Sequence, residues 1–213
     1  FGLNGHYYRD GHLRAVEDIY TSAKWSNIVH LQIMDLMSTD STRSIRADIA
    51  LTGLHNNNGI GNGEGGEILI SSCGSGSLHI GALSGNPQES RIEVLASKKF
   101  YSYIDNPSWF KDPFRTGSLD GSGFILPGIL SSNKHIIGGV VRQTESALQR
   151  KGSFENADCW ETRLLFEDDG SRLSAASSIV LVTIDPELEN GNHRAWLFVS
   201  GLSKNIISGK VTI

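Results

Sequence analysis

Apolar and polar residues alternate with a period of two along most of this chain. The clearest case is Ile45–Leu51, where Ile45, Ala47, Ile49 and Leu51 share one face and Arg46 and Asp48 the other. That is the pattern of a half-buried β-strand. Trp25–Leu36 behaves in the same way, setting Val29, Leu31 and Ile33 against His30, Gln32 and Met34. A stretch of Gly and Asn, HNNNGIGNGEGGE, then leads into ILISS, and a Gly-Ser turn separates that run from SLHIGAL. Glycine allows tight turns without steric strain, so residues 55–66 are expected to form an exposed, mobile loop without a cofactor. Further strands are predicted over Arg91–Ala96, Phe100–Ile104, Phe124–Leu130, Ile136–Val141, Glu161–Phe166, Ile179–Ile184, Arg194–Val199 and Ile206–Ile213. Turn residues at Asn86-Pro87, Asp169-Gly170 and Asn190-Gly191-Asn192 fall between them.

Three stretches break the pattern. Near the amino terminus, Asp10-Gly11 signals a hairpin, while Leu13, Val16 and Tyr20 also fit a short helix over His12–Tyr20. Arg142–Arg150 is a second short helix candidate. Asp105–Gly123 has no period, and Pro107 and Pro113 remove ladder donors, which predicts a long loop. Loops of that length inside compact domains are often functional. Many short strands with turns at this spacing predict an all-β fold, an antiparallel, jelly-roll-like β-sandwich or an open barrel, with at most one or two short helices. At 213 residues the chain fits one domain, 1–213, with a division conceivable near 115–123. No internal repeat suggests a propeller or solenoid.

Composition narrows the partners. A net charge of −4 and no basic run argue against nucleic acid. No apolar stretch reaches the ~18 residues of a membrane span. The sequence starts at Phe1 with neither a methionine nor a signal-like run, as expected of a portion of a longer chain. Two cysteines, Cys73 and Cys159, read as buried free thiols, with a long-loop disulfide as the alternative.

Short motifs carry little chemistry. Gly61, Gly63 and Gly66 match the spacing of a dinucleotide fingerprint, but a strand-like run follows where a helix is needed. Ser208-Gly209-Lys210 lacks the rest of a phosphate loop. His30 and His79 lie inside predicted strands and read as sheet-face residues. The pairs Glu64/Glu67, Asp158/Glu161 and Asp168/Asp169 read as solvated turn charges, with calcium at Asp168–Ser171 as a lesser alternative. No cofactor or metal is predicted, and no catalytic signature favours an enzyme.

Residues 100–114, FYSYIDNPSWFKDPF, form the most informative cluster. Phe100, Tyr101, Tyr103, Trp109, Phe110 and Phe114 interleave there with Asp105, Asn106, Lys111 and Asp112. Aromatic rings stack on sugar C–H faces while amides and carboxylates take hydroxyls, and such rings also anchor protein interfaces. Tyr101, Tyr103, Asp105, Asn106, Trp109 and Lys111 are therefore the candidate ligand contacts, with Trp109 the anchor. The plainer alternative is that the rings plug the end of a sandwich or a subunit interface.

The opening FGLNGHYY, the glycine-rich HNNNGIGNGEGG between apolar strands and the closing AWLFVSGLSKNIISGKVTI give the chain a resemblance to the distal, receptor-binding part of phage tail fibres and similar viral attachment proteins. The resemblance implies a homotrimeric β-sandwich knob, on a virion surface or otherwise extracellular, that binds a cell-surface glycan or protein without catalysis. A carbohydrate-active enzyme or sugar-binding module, and a purely structural virion component, are the alternatives.

Overall fold

The period-two runs become strands that pair mainly with their neighbours in sequence. The computed structural model describes residues 24, 26–33, 45–84, 90–100, 102–116, 120–129, 144–149, 160, 162–168, 171–203 and 206–213. Ser26–Ile33 (β1) and Ile45–Leu54 (β2) make a two-stranded antiparallel ribbon. Asn57–Asn62 (β3), Ile68–Ser72 (β4), Ser77–Leu83 (β5) and Ile92–Lys99 (β6) form a four-stranded meander. Tyr103–Ile104 (β7) and Ser108–Phe110 (β8) both pair with Gly123–Ile129 (β9), followed by Thr144–Gln149 (β10) and Thr162–Asp168 (β11). Ser174–Ile184 (β12), Arg194–Ser203 (β13) and Ile207–Thr212 (β14) close the chain as a second meander. Apart from one 3-10 turn at Pro186–Glu189, all regular structure among the described residues is strand. The protein is all-β, and among the described residues the sheets are antiparallel and none closes into a barrel. No described helix is long and apolar enough to cross a membrane.

Layering follows from which face each residue occupies. Gly123–Gly128 of β9 are all buried. Phe124 and Leu126 pack with Leu69, Leu78 and Ile80 of the four-stranded sheet. Ile125, facing the other way, packs with Ile179, Leu181, Leu197 and Val199 of the three-stranded sheet. Buried on both faces, β9 reads as a continuous apolar run, not an alternating one. A third cluster, Ile28, Ala50 and Leu54 with Ile70 and Ile92, anchors the base of the β1–β2 ribbon to the four-stranded sheet.

Several expectations are corrected. Thr144–Gln149, inside the predicted helix Arg142–Arg150, is a strand paired on both sides, to β9 and β11. Two ladders outweigh the helical preference of a segment too short to hold a helix alone. Within the predicted long loop, Ser108–Phe110 is a strand paired with Gly123–Ile125. Most of the predicted exposed loop 55–66 is also ordered. Asn57–Asn62 pairs with β4, and Gly59 is buried, donating its N–H to Ser71 Oγ at 2.7 Å. A Cβ on Gly59 would meet Asn106 Cα at 2.4 Å, and one on Gly61 would meet the Pro107 carbonyl at 2.1 Å. Glycine is needed there for close chain approach. Only Gly63–Glu67 remains a turn, closed by Gly63 N–H donating to the Glu67 carbonyl.

The amino-terminal hairpin or helix, the strand Ile136–Val141, Cys159 and the Asp158/Glu161 pair lie outside the described residues.

Candidate functional site

Strand alternation disperses the aromatic cluster at 100–114. On β8, Trp109 turns to one side and Phe110 to the other, and each enters a different core. The Trp109 ring meets Phe124 edge-on, with centroids 5.0 Å apart and planes at 68°. Phe100 packs half-buried against the same core. Trp109, expected to anchor a ligand, therefore spends most of its ring on the interior. Tyr101 lies outside the described residues, and Tyr103 is half-buried in β7.

Asp105 and Asn106 do come together, at a junction with β12. Asn106 Nδ2 donates to the Ser177 carbonyl at 2.8 Å and lies 3.3 Å from Ser177 Oγ. Burial pushes the Asp105 carboxyl above its usual range, against hydrogen bonds from Ser177 and the Asn106 backbone that lower it. Cys73, a free thiol in the β4–β5 turn, is pushed up to about 11 by burial and then by the Asp105 charge. A thiol so protonated is a poor nucleophile. Asn106 thus ties the segment to β12, and the junction is a structural joint.

Lys111 sits apart on the surface, 3.7 Å from Glu64 Oε1, which also has Arg115 at 3.6 Å. Asp112 is fully buried. Its carboxylate accepts from the N–H groups of Phe114 and Gly121, and His193 Nδ1 lies 3.5 Å away. Two of the carboxylates expected as turn charges also hold backbone. Asp168, itself buried, accepts from Arg172 and Leu173 N–H, and Glu67 accepts from Gly65 N–H. Among the described residues no three His, Cys, Asp or Glu side chains gather as a metal site. His79 faces Ser97 Oγ across the sheet at 2.7 Å, and burial lowers its pKa.

A recess lies elsewhere, beside the β1–β2 ribbon. It has a volume of about 470 Å³, and Asp48, Ile49, Ala50, Leu51 and Thr52 of β2 line it with Ser90, Arg91 and Ile92. That size falls within the roughly 300–1,000 Å³ of small-molecule sites. The ribbon's register pairs His30 with Asp48 and Gln32 with Arg46, all four on one face. Arg46 Nε lies 2.9 Å from Asp48 Oδ2. Gln32 Nε2 donates to the buried Ser90 Oγ at 2.7 Å, bridging ribbon and body. Among the described residues, the buried His30 Nδ1 has no hydrogen-bond partner.

Sequence alternation picked out this polar face but assigned it to solvent. The exposure pattern is the reverse. Arg46 and Asp48 are half-buried, whereas Ile45, Ala47 and Ile49 are exposed. Nothing local distinguishes a polar face that meets the body from one that meets water.

No family model matches the chain, and no curated protein matches it.

Proposed function

We propose that this chain is a non-catalytic attachment module, and that the recess beside the β1–β2 ribbon receives a hydroxyl-rich ligand, a segment of a cell-surface glycan. The observation that carries the reading is the concentration of donors and acceptors around one recess. A carboxylate (Asp48), guanidinium groups (Arg46 beside it and Arg91), a hydroxyl (Thr52) and a bridged amide–hydroxyl pair (Gln32–Ser90) occur there with the apolar Leu51 and Ile92. Carboxylates and guanidinium groups bond sugar hydroxyls from complementary sides, and apolar atoms take the C–H faces. In this reading the module acts outside the cell or on a virion surface.

The test is a glycan array followed by titration of any hit against the parent chain and Asp48→Asn. Replacing the carboxylate removes an acceptor and its charge, so affinity for the hit should drop by about tenfold while the fold is kept. An array without hits, or a variant that binds like the parent, defeats the reading.

A further inference from the structure

We infer, resting on the glycan reading of the recess, that the sugar it takes is an acidic one whose carboxylate lies on the Arg91 guanidinium. Eight residues line the recess, and only Asp48 and Arg91 among them carry a charge. The two charges stand differently. Asp48 is neutralised within the ribbon, where Arg46 Nε lies 2.9 Å from its Oδ2. Arg91 is exposed just before β6, and no carboxylate among the described residues comes within ion-pair distance of it. Glu93, two positions on, neither pairs with it nor lines the recess. Among the described residues, the recess therefore offers a ligand one unmatched positive charge.

Neutral and acidic sugars fare differently over such a group. A neutral ring closing on Arg91 strips water from the guanidinium and returns only hydroxyl oxygens, so part of the stabilisation of the charge is lost. A carboxylate returns two oxygens that match the planar fork of the guanidinium. Charge-assisted pairs of that geometry are roughly twice as strong as neutral hydrogen bonds. The chain carries a net charge of −4, which gives no general attraction for anions. Selectivity for an acid has to come from this one contact.

The opposite wall sets the orientation. Asp48, already served by Arg46, offers nothing to a second carboxylate, so the acid group turns from β2 towards Arg91. Hydroxyls then meet Asp48 and Thr52, and the ring C–H groups meet Leu51 and Ile92. The two walls are tied together before any ligand arrives. Gln32 Nε2 of the ribbon donates to Ser90 Oγ at 2.7 Å, and Ser90 is the buried neighbour of Arg91 in the chain. A site held in place in this way loses little freedom on binding.

The test is an array printed with uronic-acid and sialic-acid glycans, the methyl ester of each, and neutral and sulfated glycans, followed by titration of the hits. The parent should bind carboxylate-bearing glycans and lose about tenfold to a hundredfold on esterification, which removes the charge and leaves the ring. Arg91→Gln should bring the acid down towards the ester, so that the ratio of their affinities falls to near one. Arg91→Lys keeps the charge without the planar fork and should recover only part of that ratio. Arg91 is exposed, so neither substitution should disturb the fold, and the comparison of acid with ester on the parent needs no variant. Hits confined to neutral glycans overturn the acidic sugar while leaving the glycan reading in place. Acid hits that survive esterification, or that bind Arg91→Gln like the parent, overturn it too. So do sulfated glycans bound as tightly as the carboxylates, since the fork would then read any anion. An array without hits removes the glycan reading and this inference with it.

Discussion

Gly59 and Gly61 act through the atoms they lack. Both lie on β3 where it crosses Asn106–Ser108, and a methyl group at either would collide with backbone that β8 and β12 hold in place. Gly59→Ala should cost about 2–3 kcal/mol, the range for overpacking a site that cannot yield. Gly66 offers a contrast, at φ +87° with nothing within 4 Å of its absent Cβ. Gly66→Ala should cost only about 1 kcal/mol of backbone strain. Urea unfolding gives both numbers, and equal losses would mean that β3 is not packed on 106–108. Cys73 supplies a pH signature. Its thiol rises from 9.0 to about 11 in the fold, so folding favours the neutral form. That contribution is complete below about pH 9 and is lost as pH climbs through about 11. Against Cys73→Ser, the parent should lose on the order of 2 kcal/mol across that window. A flat difference between the two would show the thiol to be open to water.

At the scale of elements, alternation located most strands but could not identify what each face meets. The runs around Leu31, Ile49, Ile80 and Leu197 were legible because period two survives in each of them. The β1–β2 ribbon kept the predicted alternation and reversed the expected exposure, because facing is decided by the body and not by the strand. Thr144–Gln149 was misread since the ladders to β9 and β11 that hold it leave no mark in its own residues, and β3 because glycine marks close approach as readily as a loop. The ring cluster at 100–114 is dispersed for a related reason. Composition counts rings, whereas the alternation of β8 sends Trp109 and Phe110 to opposite cores. The recess was missed altogether, since it joins β2 to Ser90 and Arg91, about 40 residues further along. Trp109→Ala should accordingly lower stability, by less than the ~3–5 kcal/mol lost with a fully buried ring because Trp109 is half-buried. The measurement is the denaturation midpoint. A variant that unfolds at the parent's midpoint would return Trp109 to the surface as a candidate contact.

At the scale of the whole molecule, β9 decides whether the layers behave as one body. The all-β class was legible from recurrence of the strand period, but the stacking was not, because a strand buried on both faces carries no alternation to read. Phe124 and Leu126 serve the core shared with the four-stranded sheet, and Ile125 serves the core shared with the three-stranded sheet. Neither core closes without β9. Unfolding should therefore be a single transition, with tryptophan fluorescence and far-ultraviolet circular dichroism changing together. Trp109 and Trp160 report on the first core, since both rings contact Phe124. Ile125→Ala removes side-chain atoms only from the second core and should cost about 2–5 kcal/mol. In a molecule coupled through β9, that loss moves the Trp109 and Trp160 signal to lower denaturant by the same amount as the circular dichroism. If the fluorescence transition stays in place while the dichroism shifts, the two layers unfold separately, and β9 is a shared boundary without being a mechanical link.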